Sequence, residues 1–384
     1  MSSKSRRIAY IYTAPLKSDG VSKKVLSQAR ALSTYGPLEF ISFKYPVKWL
    51  ERFKPLRVLY NQTVFQLRAI RASIRADIVY YRYAAQNFLL NTFFACGGAR
   101  HSLVLENNTN NQAEFITKRL LATAALNFLF ERALTRRADL NVALTEELKR
   151  YVQDLADGSS RVVTITNGYD PRWVITPSEA GLQKWNERLG QLRSSYNLAV
   201  FVGYSEVWHG VDRIIELIRH QSNWALVLVG PGLEQSYGHM VEGDLIGRIA
   251  FLGEQVSEDL VCIYSMCDLA LGSFALERKG MREAAPLKVR EYLFYGLPVV
   301  IGYRDPIADE CPRMQEIDPS DSSISLDALL KTLASNNFDG LERLTWDHQM
   351  SRVIATLDPD LSANITSTVP GEGEAEERIQ EAYQ

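Results

Sequence analysis

This sequence has little that would commit it to metal, disulfide or membrane-spanning chemistry. Its four cysteines, Cys96, Cys262, Cys267 and Cys311, are scattered along 384 residues. Cys262 and Cys267 are separated by four residues with no histidine near them, which is not the spacing of zinc ligands. They read as free thiols of a reducing compartment. No window reaches the roughly 18 apolar residues of a spanning helix. The N-terminal MSSKSRRIAYIY carries charge but no apolar run of secretory-signal length. A cytoplasmic protein is the expectation. A G-x-G-x-x-G after the first strand is missing too, which excludes a dehydrogenase. No nucleic-acid-binding module is visible, so nucleic acid is not an expected partner.

What the chain does have is enough apolar residue, 46%, for ordinary cores, at a length that makes two domains the default. Its net charge of −2 hides an asymmetry. Residues 1–170 hold 25 Lys+Arg against 13 Asp+Glu, a balance of +12; the remainder holds 18 against 32, a balance of −14. The two halves should therefore meet different partners.

Strand-like runs alternate with amphipathic helices, the pattern of an α/β fold with parallel sheets. Strands are expected at 7–15, 38–43, 76–82, 101–107, 138–144 and 161–170, then at 198–204, 224–232, 248–254, 267–274 and 297–303. Thr145-Glu146-Glu147 reads as a helix start, and 171–197 as a link between the two series. The expected domains are 1–170, 171–345 and a segment 346–384 made of a helix and a disordered acidic tail. Doubly wound sheets bind ligands at the carboxyl ends of their strands. With two of them, the cleft between is the natural site.

The stretch EAAPLKVREYLFYGLP, residues 283–298, is the most informative. It predicts a loop, a ten-residue helix and a stop. Pro286 suits the first helical position. Gly296 suits the left-handed residue after the last turn, and Pro298 blocks continuation. Lys288 is out of place, because a cation in the first turn meets the positive end of the helix dipole. An anion held jointly by the ammonium and the free backbone N–H groups would explain it. Glu291 lies on the same face, roughly 4.5 Å further along the axis. A phosphate at Lys288 would put an attached ribose near Glu291, so a nucleoside diphosphate is the expected ligand.

Glu283 and Glu291, with Pro286-Leu287-Lys288, Tyr292, Gly296 and Pro298-Val299-Val300, resemble the E-x7-E region of retaining glycosyltransferases of family 4. Those enzymes have the GT-B fold, two Rossmann-like α/β domains facing each other across a cleft. The resemblance implies that Glu291 binds the donor ribose, Lys288 the diphosphate and Glu283 the donor sugar. Catalysis then falls to Glu283 and Lys288, and donor binding also draws on Leu287, Pro286 and Arg282. Gly203 with Trp208-His209-Gly210 resembles the family's first strand–loop–helix of the donor domain. The usual Arg and Lys of that loop are replaced by Tyr204-Ser205 and His209, which shifts weight onto Lys288, with Arg278, Lys279 and Arg282 as helpers. His209 is a candidate hydrogen-bond donor or a structural residue. The loop with Gly230 resembles the family's glycine-bearing loop on the nucleobase side, and a tight turn is its other reading.

In the first domain, Asp19-Gly20-Val21-Ser22 resembles the loop that approaches donor phosphates and acceptor. Gly20, Ser22, Lys24, Arg82, Glu106 and Asn107 are the acceptor-side candidates. Polar capping and turn roles are the other reading of Glu106 and Asn107. Residues 44–75 hold eight basic residues and one acid with aromatics between them, a composition suited to an anionic membrane surface or to a plain solvated helix face.

The function implied is transfer of a sugar from a nucleotide diphosphate sugar, of UDP or GDP type, to a hydroxyl of a lipid-linked or cell-envelope saccharide, with retention. No metal or cofactor is implied, and a peripheral location on the inner membrane face is. Two alternatives stay open. A nucleotide-sugar 2-epimerase shares the architecture but would want acids and histidines in the first domain, where His101 is the lone histidine. A non-catalytic saccharide-binding or scaffold protein is the other.

Overall fold

The computed structural model describes residues 6–17, 19–43, 54–98, 102–117, 119–321 and 323–363. His101, the 44–53 part of the basic segment and the tail from 364 lie outside the described residues. The chain divides into two compact units, one of Met1–Gly168 with Thr345–Gln384 and one of Tyr169–Leu344.

The first unit runs β1 (Ile8–Tyr12), α1 (Gly20–Ser33), β2 (Leu38–Ser42), α2 (Lys54–Arg75), β3 (Ile78–Arg82), α3 (Phe88–Ala95), β4 (Ser102–Asn107), α4 (Asn111–Thr117), α5 (Leu121–Arg137), β5 (Leu140–Ala143), α6 (Glu146–Ala156) and β6 (Arg161–Thr164). All pairings are parallel, in the order β2-β1-β3-β4-β5-β6. Strands covered on both faces must be apolar throughout, and every residue of β1 is buried. The register sets Tyr10 beside Tyr80 and Phe40. Its ring stacks on both, at 5.1 and 5.5 Å between centroids. Thr145 caps α6 by accepting from the Leu148 N–H at 3.1 Å.

The second unit runs α7 (Glu179–Ser195), β7 (Asn197–Val202), α8 (Val211–Arg219), β8 (Trp224–Val229), α9 (Leu233–Tyr237), β9 (Ile249–Gly253), α10 (Ser257–Met266), β10 (Leu269–Leu271), α11 (Leu287–Phe294), β11 (Val299–Ile301), β12 (Met314–Glu316) and α12 (Leu326–Ala334). Its parallel sheet is ordered β12-β11-β10-β7-β8-β9. The expected link at 171–197 contains α7. Buried Trp185 anchors that helix by donating from Nε1 to Asp259 Oδ1 at 2.8 Å.

Residues after Leu344 join the first unit. There α13 (Trp346–Leu357), followed by α14 (Pro359–Ala363), packs on α1. Gln349 Oε1 accepts from the Thr166 N–H at 3.0 Å, and Arg6 pairs with Asp358 at 2.6 Å.

Each sheet has one place where the chain reverses its direction of winding. In the first unit it lies between β1 and β3, in the second between β7 and β10. Open α/β sheets bind ligands outside the carboxyl ends at such a switch point. Residues 13–24 and 82 flank the first of these points, and residues 203 and 272–288 the second.

Candidate functional site

In the second unit, α11 departs from expectation by one residue at each end. Pro286 is not the first helical residue but its cap, with φ −68° and an extended ψ of 142°. The helix is eight residues, not ten: it opens one residue later, at Leu287, and closes one earlier, at Phe294, with Tyr295 as its cap. Its stop signals act as expected. Gly296 has φ +78°, its N–H bonds to Leu293 O at 3.0 Å, and the Leu297 N–H bonds to Tyr292 O at 2.9 Å. That pair of bonds is the Schellman closure, which a left-handed glycine allows.

Lys288 is the second residue of α11, where backbone N–H groups lack intrahelical acceptors. Its Nζ is buried and finds no hydrogen-bond partner among the described residues. It lies 3.9 Å from the centroid of the Phe201 ring. Burial lowers its pKa to about 7. A Cβ added to Gly203 would stand 3.0 Å from that nitrogen, so glycine there leaves the ammonium its space. Gly230, at φ +144°, is under a harder constraint. Any Cβ would lie 1.8 Å from the Gly203 carbonyl oxygen.

Of the two roles open to His209, the geometry favours the structural one. Its Nδ1 lies 2.7 Å from the Tyr204 carbonyl oxygen. A carbonyl only accepts, so Nδ1 carries the proton and neutral Nε2 presents a lone pair. Burial first, and then the positive charge of Lys288, lower its pKa to about 4. At neutral pH His209 is therefore no donor to a phosphate from Nε2. Arg278 is also engaged: it donates to both oxygens of Asp212 at 2.9 and 2.7 Å. Lys279 lies 5.0 Å over the Trp208 ring. Arg282 is exposed, and its carbonyl accepts the Arg304 N–H at 3.1 Å.

Glu283 is half-buried and joined to Arg304 by a parallel backbone bridge, which fixes the loop ahead of α11. Glu291 is half-buried, with Tyr264 Oη 3.5 Å from its Oε2. Neighbouring Tyr292 accepts the Val202 N–H on its Oη at 2.8 Å and ties α11 to the end of β7. One feature was not read from the sequence. Arg290, inside the motif, forms two 2.8 Å bonds to Asp305, and both side chains are wholly buried. This pair sets α11 against the loop after β11. An arginine on the apolar face of a short helix was its only local signal.

In the first unit the acceptor-side candidates divide into two sets. Lys24, expected to reach substrate, is consumed inside the protein. Its Nζ lies 2.8 Å from Glu106 Oε1, 2.6 Å from Asn108 Oδ1 and 2.8 Å from Asn167 Oδ1. Burial, only partly offset by Glu106, lowers its pKa to about 8. Glu106 is fully buried and accepts from Tyr80 Oη at 2.8 Å. Burial alone would raise its pKa, but Lys24 and Arg82 override that and hold it below the usual carboxylate range. Ser22 is also spent: its Oγ accepts from the Lys17 N–H at 2.9 Å, while its own N–H bonds to the Asp19 cap at 2.7 Å. Gly20 simply opens α1.

Arg82 and Asn107 keep unused capacity. Arg82 stacks its guanidinium 5.6 Å over Tyr12. Its buried Nη1 and the buried Asn107 Oδ1 lack partners among the described residues. Both lie at the carboxyl ends of adjacent strands.

Residues 184–336 match the family model of the group 1 glycosyl transferases. No curated protein matches the chain. Among solved structures, Anabaena Alr3699/HepE in complex with UDP and glucose is 16% identical, covers 98% of this chain and 100% of its own, and superposes with a TM-score of 0.55. Sucrose-phosphate synthase from Thermosynechococcus elongatus is 13% identical, covers 98% of each chain and gives 0.60. WaaG, a glycosyltransferase involved in lipopolysaccharide biosynthesis, is 16% identical, covers 94% of this chain and 100% of its own, and gives 0.53. With two parallel six-stranded sheets, the architecture is GT-B. The chain has the GT-B fold, and residues 184–336 of its second unit match the group 1 glycosyl transferase domain.

Proposed function

We propose that the protein transfers a sugar, with retention, from a nucleotide diphosphate sugar of UDP or GDP type to a hydroxyl of a lipid-linked or cell-envelope saccharide. The observation that carries this is Lys288, a buried ammonium at the N-terminus of α11 without an acceptor among the described residues. A buried cation costs stability unless a counter-charge arrives, and a diphosphate supplies it. As the bond from the anomeric carbon to the diphosphate oxygen breaks, the electron pair goes to that oxygen. Lys288 and the amides of Leu287 and Lys288 meet the developing charge. The acceptor oxygen bonds the anomeric carbon, and its proton leaves with the diphosphate, so no side-chain base is needed.

Glu291 takes the ribose hydroxyls, Glu283 the sugar and Arg282 the outer diphosphate, while Pro286, Gly203 and Gly230 shape the nucleotide's seat. His209 serves as a wall of that seat. Arg82 and Asn107 are assigned to the acceptor. No metal or cofactor is assigned a role. Because HepE is described with UDP and with UDP-glucose, uridine nucleotides are tested first. The basic 44–75 segment is assigned to an anionic membrane surface on the cytoplasmic side.

Screening UDP, GDP and their sugars for thermal stabilisation and for nucleotide release tests the reading. A shift with one nucleotide and release of that nucleotide from its sugar are expected. A chain that neither shifts nor releases nucleotide with any of them is a binder of something else.

A further inference from the structure

We infer that the outer surface of the α2–α3–α5 layer is a binding face for an anionic lipid bilayer. This deepens the membrane part of the preceding reading and rests on that part alone, not on the transfer chemistry. It extends the contact well beyond the basic 44–75 segment.

The helices α2, α3 and α5 pack side by side on one face of the first sheet. Phe65, Ala69 and Ala72 of α2, Leu90 and Phe94 of α3 and Leu134 of α5 share one core with the strands. Burying that stripe accounts for one apolar side of each helix. α2 is apolar on its other side too. Leu56, Tyr60, Leu67 and Ile74 recur at helical spacing opposite Phe65, and all are exposed. Leu121 and Leu129 of α5 are 69% and 66% exposed. Phe88 of α3, 55% exposed, meets α5 through an edge-on contact of its ring with Phe130 at 5.4 Å. Among the described residues the second unit exposes only five large apolar side chains, Val174, Tyr204, Val207, Ile246 and Val256, none of them on an α-helix. A spread of this kind on a soluble surface marks an interaction site.

Charge selects the occupant. α2 and α3 contain no acidic residue, and the lone acid of α5, Glu131, is buried. Arg68, Arg71 and Arg75 on α2, and Arg119 just before α5, are exposed. Exposed leucines and phenylalanine between arginines are what an interfacial element presents to anionic headgroups. The segment 364–384 offers five glutamates but few large apolar residues, so it matches the charge of this face and not its greasiness. α2 is a long helix of 22 residues, yet among the described residues no helix is long and apolar enough to cross a membrane. Contact would be made lying on the surface.

The full chain is sedimented with vesicles of phosphatidylcholine alone and of phosphatidylcholine mixed equally with phosphatidylglycerol. Binding to the mixed vesicles is expected, weakened by salt and weak on neutral ones. Leu67→Ser with Leu129→Ser should weaken it about tenfold or more. Arg68→Gln with Arg71→Gln should weaken it and flatten its salt dependence. Melting temperature and nucleotide release from a soluble donor, unchanged in both variants, show that they fold. Absence of binding by the wild type overturns the inference. So does binding that appears only on removing residues 364–384, which would assign the face to the tail. A dimer in light scattering that Leu129→Ser dissociates would assign it to a second copy. Lipid binding is read without donor or acceptor, so loss of the transferase reading would leave this result standing.

Discussion

The Lys288 ammonium stands over the Phe201 ring, 3.9 Å from its centroid, with the hydrogens of Gly203 where a side chain would otherwise crowd it. The aromatic face gives a cation partial compensation for lost water. It does not replace an anion, and the depressed pKa records the shortfall.

Lys288→Met should therefore reduce nucleotide release by about two orders of magnitude or more, with unchanged or higher thermal stability. The pH dependence has a definite sign. Burial lowers the lysine's pKa from 10.5 to about 7, so between these values the unfolded chain binds more protons than the folded one. Stability from this group rises with pH across that window, and its penalty is full below it. The gap in melting temperature between variant and wild type should narrow as pH rises through that window. A constant gap would remove the buried cation from the account. Nucleotide binding at pH 8 should also take up protons, measurable by calorimetry in buffers of different ionisation heat.

Glu291→Gln should weaken nucleotide binding about tenfold, by loss of charge-assisted bonds to the ribose. Wild type should lose a similar factor with a 2′-deoxy nucleotide, and the variant should lose little more. Titration calorimetry of the four combinations decides it. Equal affinity of wild type for both nucleotides would count against a ribose role.

The Arg290–Asp305 pair predicts an asymmetry in unfolding. Asp305→Ala leaves a wholly buried guanidinium uncompensated and should cost about 3–5 kcal/mol. The double change Arg290→Met with Asp305→Leu should cost less than the single one. Urea unfolding measures both, and equal losses would mean that packing, not charge, sets the penalty.

Glu106→Gln tests the division of the first unit's polar residues. It strips the buried Lys24 of its counter-charge and should cost about 3 kcal/mol or more. Nucleotide binding by the second unit should be unaffected. Tolerance of the change would return Glu106 to the acceptor-side candidates.

The α11 region was legible because its signals are local. Gly296 needs a left-handed backbone, and Lys288 conflicts with the dipole at its own position. Pro286 was misplaced by one residue because its φ suits both the cap and the first turn, and only ψ separates them. The strands read well for the same reason as α11, with β12 the exception. It is three residues long with an exposed end, too short to show a period. Lys24, Arg278 and Arg290 were beyond sequence reasoning in another way. Their partners lie 82, 66 and 15 residues away. Nothing in a linear pattern tells a lysine with a buried carboxylate partner from one that awaits a ligand.

The return of the chain into its first unit has a bearing on synthesis. α13 packs on α1, and Trp346 places its ring 5.4 Å from Lys24. The polar interior of the earlier half is thus finished by residues made after the later half. At about 5–20 residues per second, a ribosome leaves the amino-terminal sheet waiting on the order of ten seconds or longer for its last helix. The later unit, built from one uninterrupted stretch, can close first. Birth order and folding order are then opposed, and a chaperone acting on the nascent chain would meet the amino-terminal half as its client.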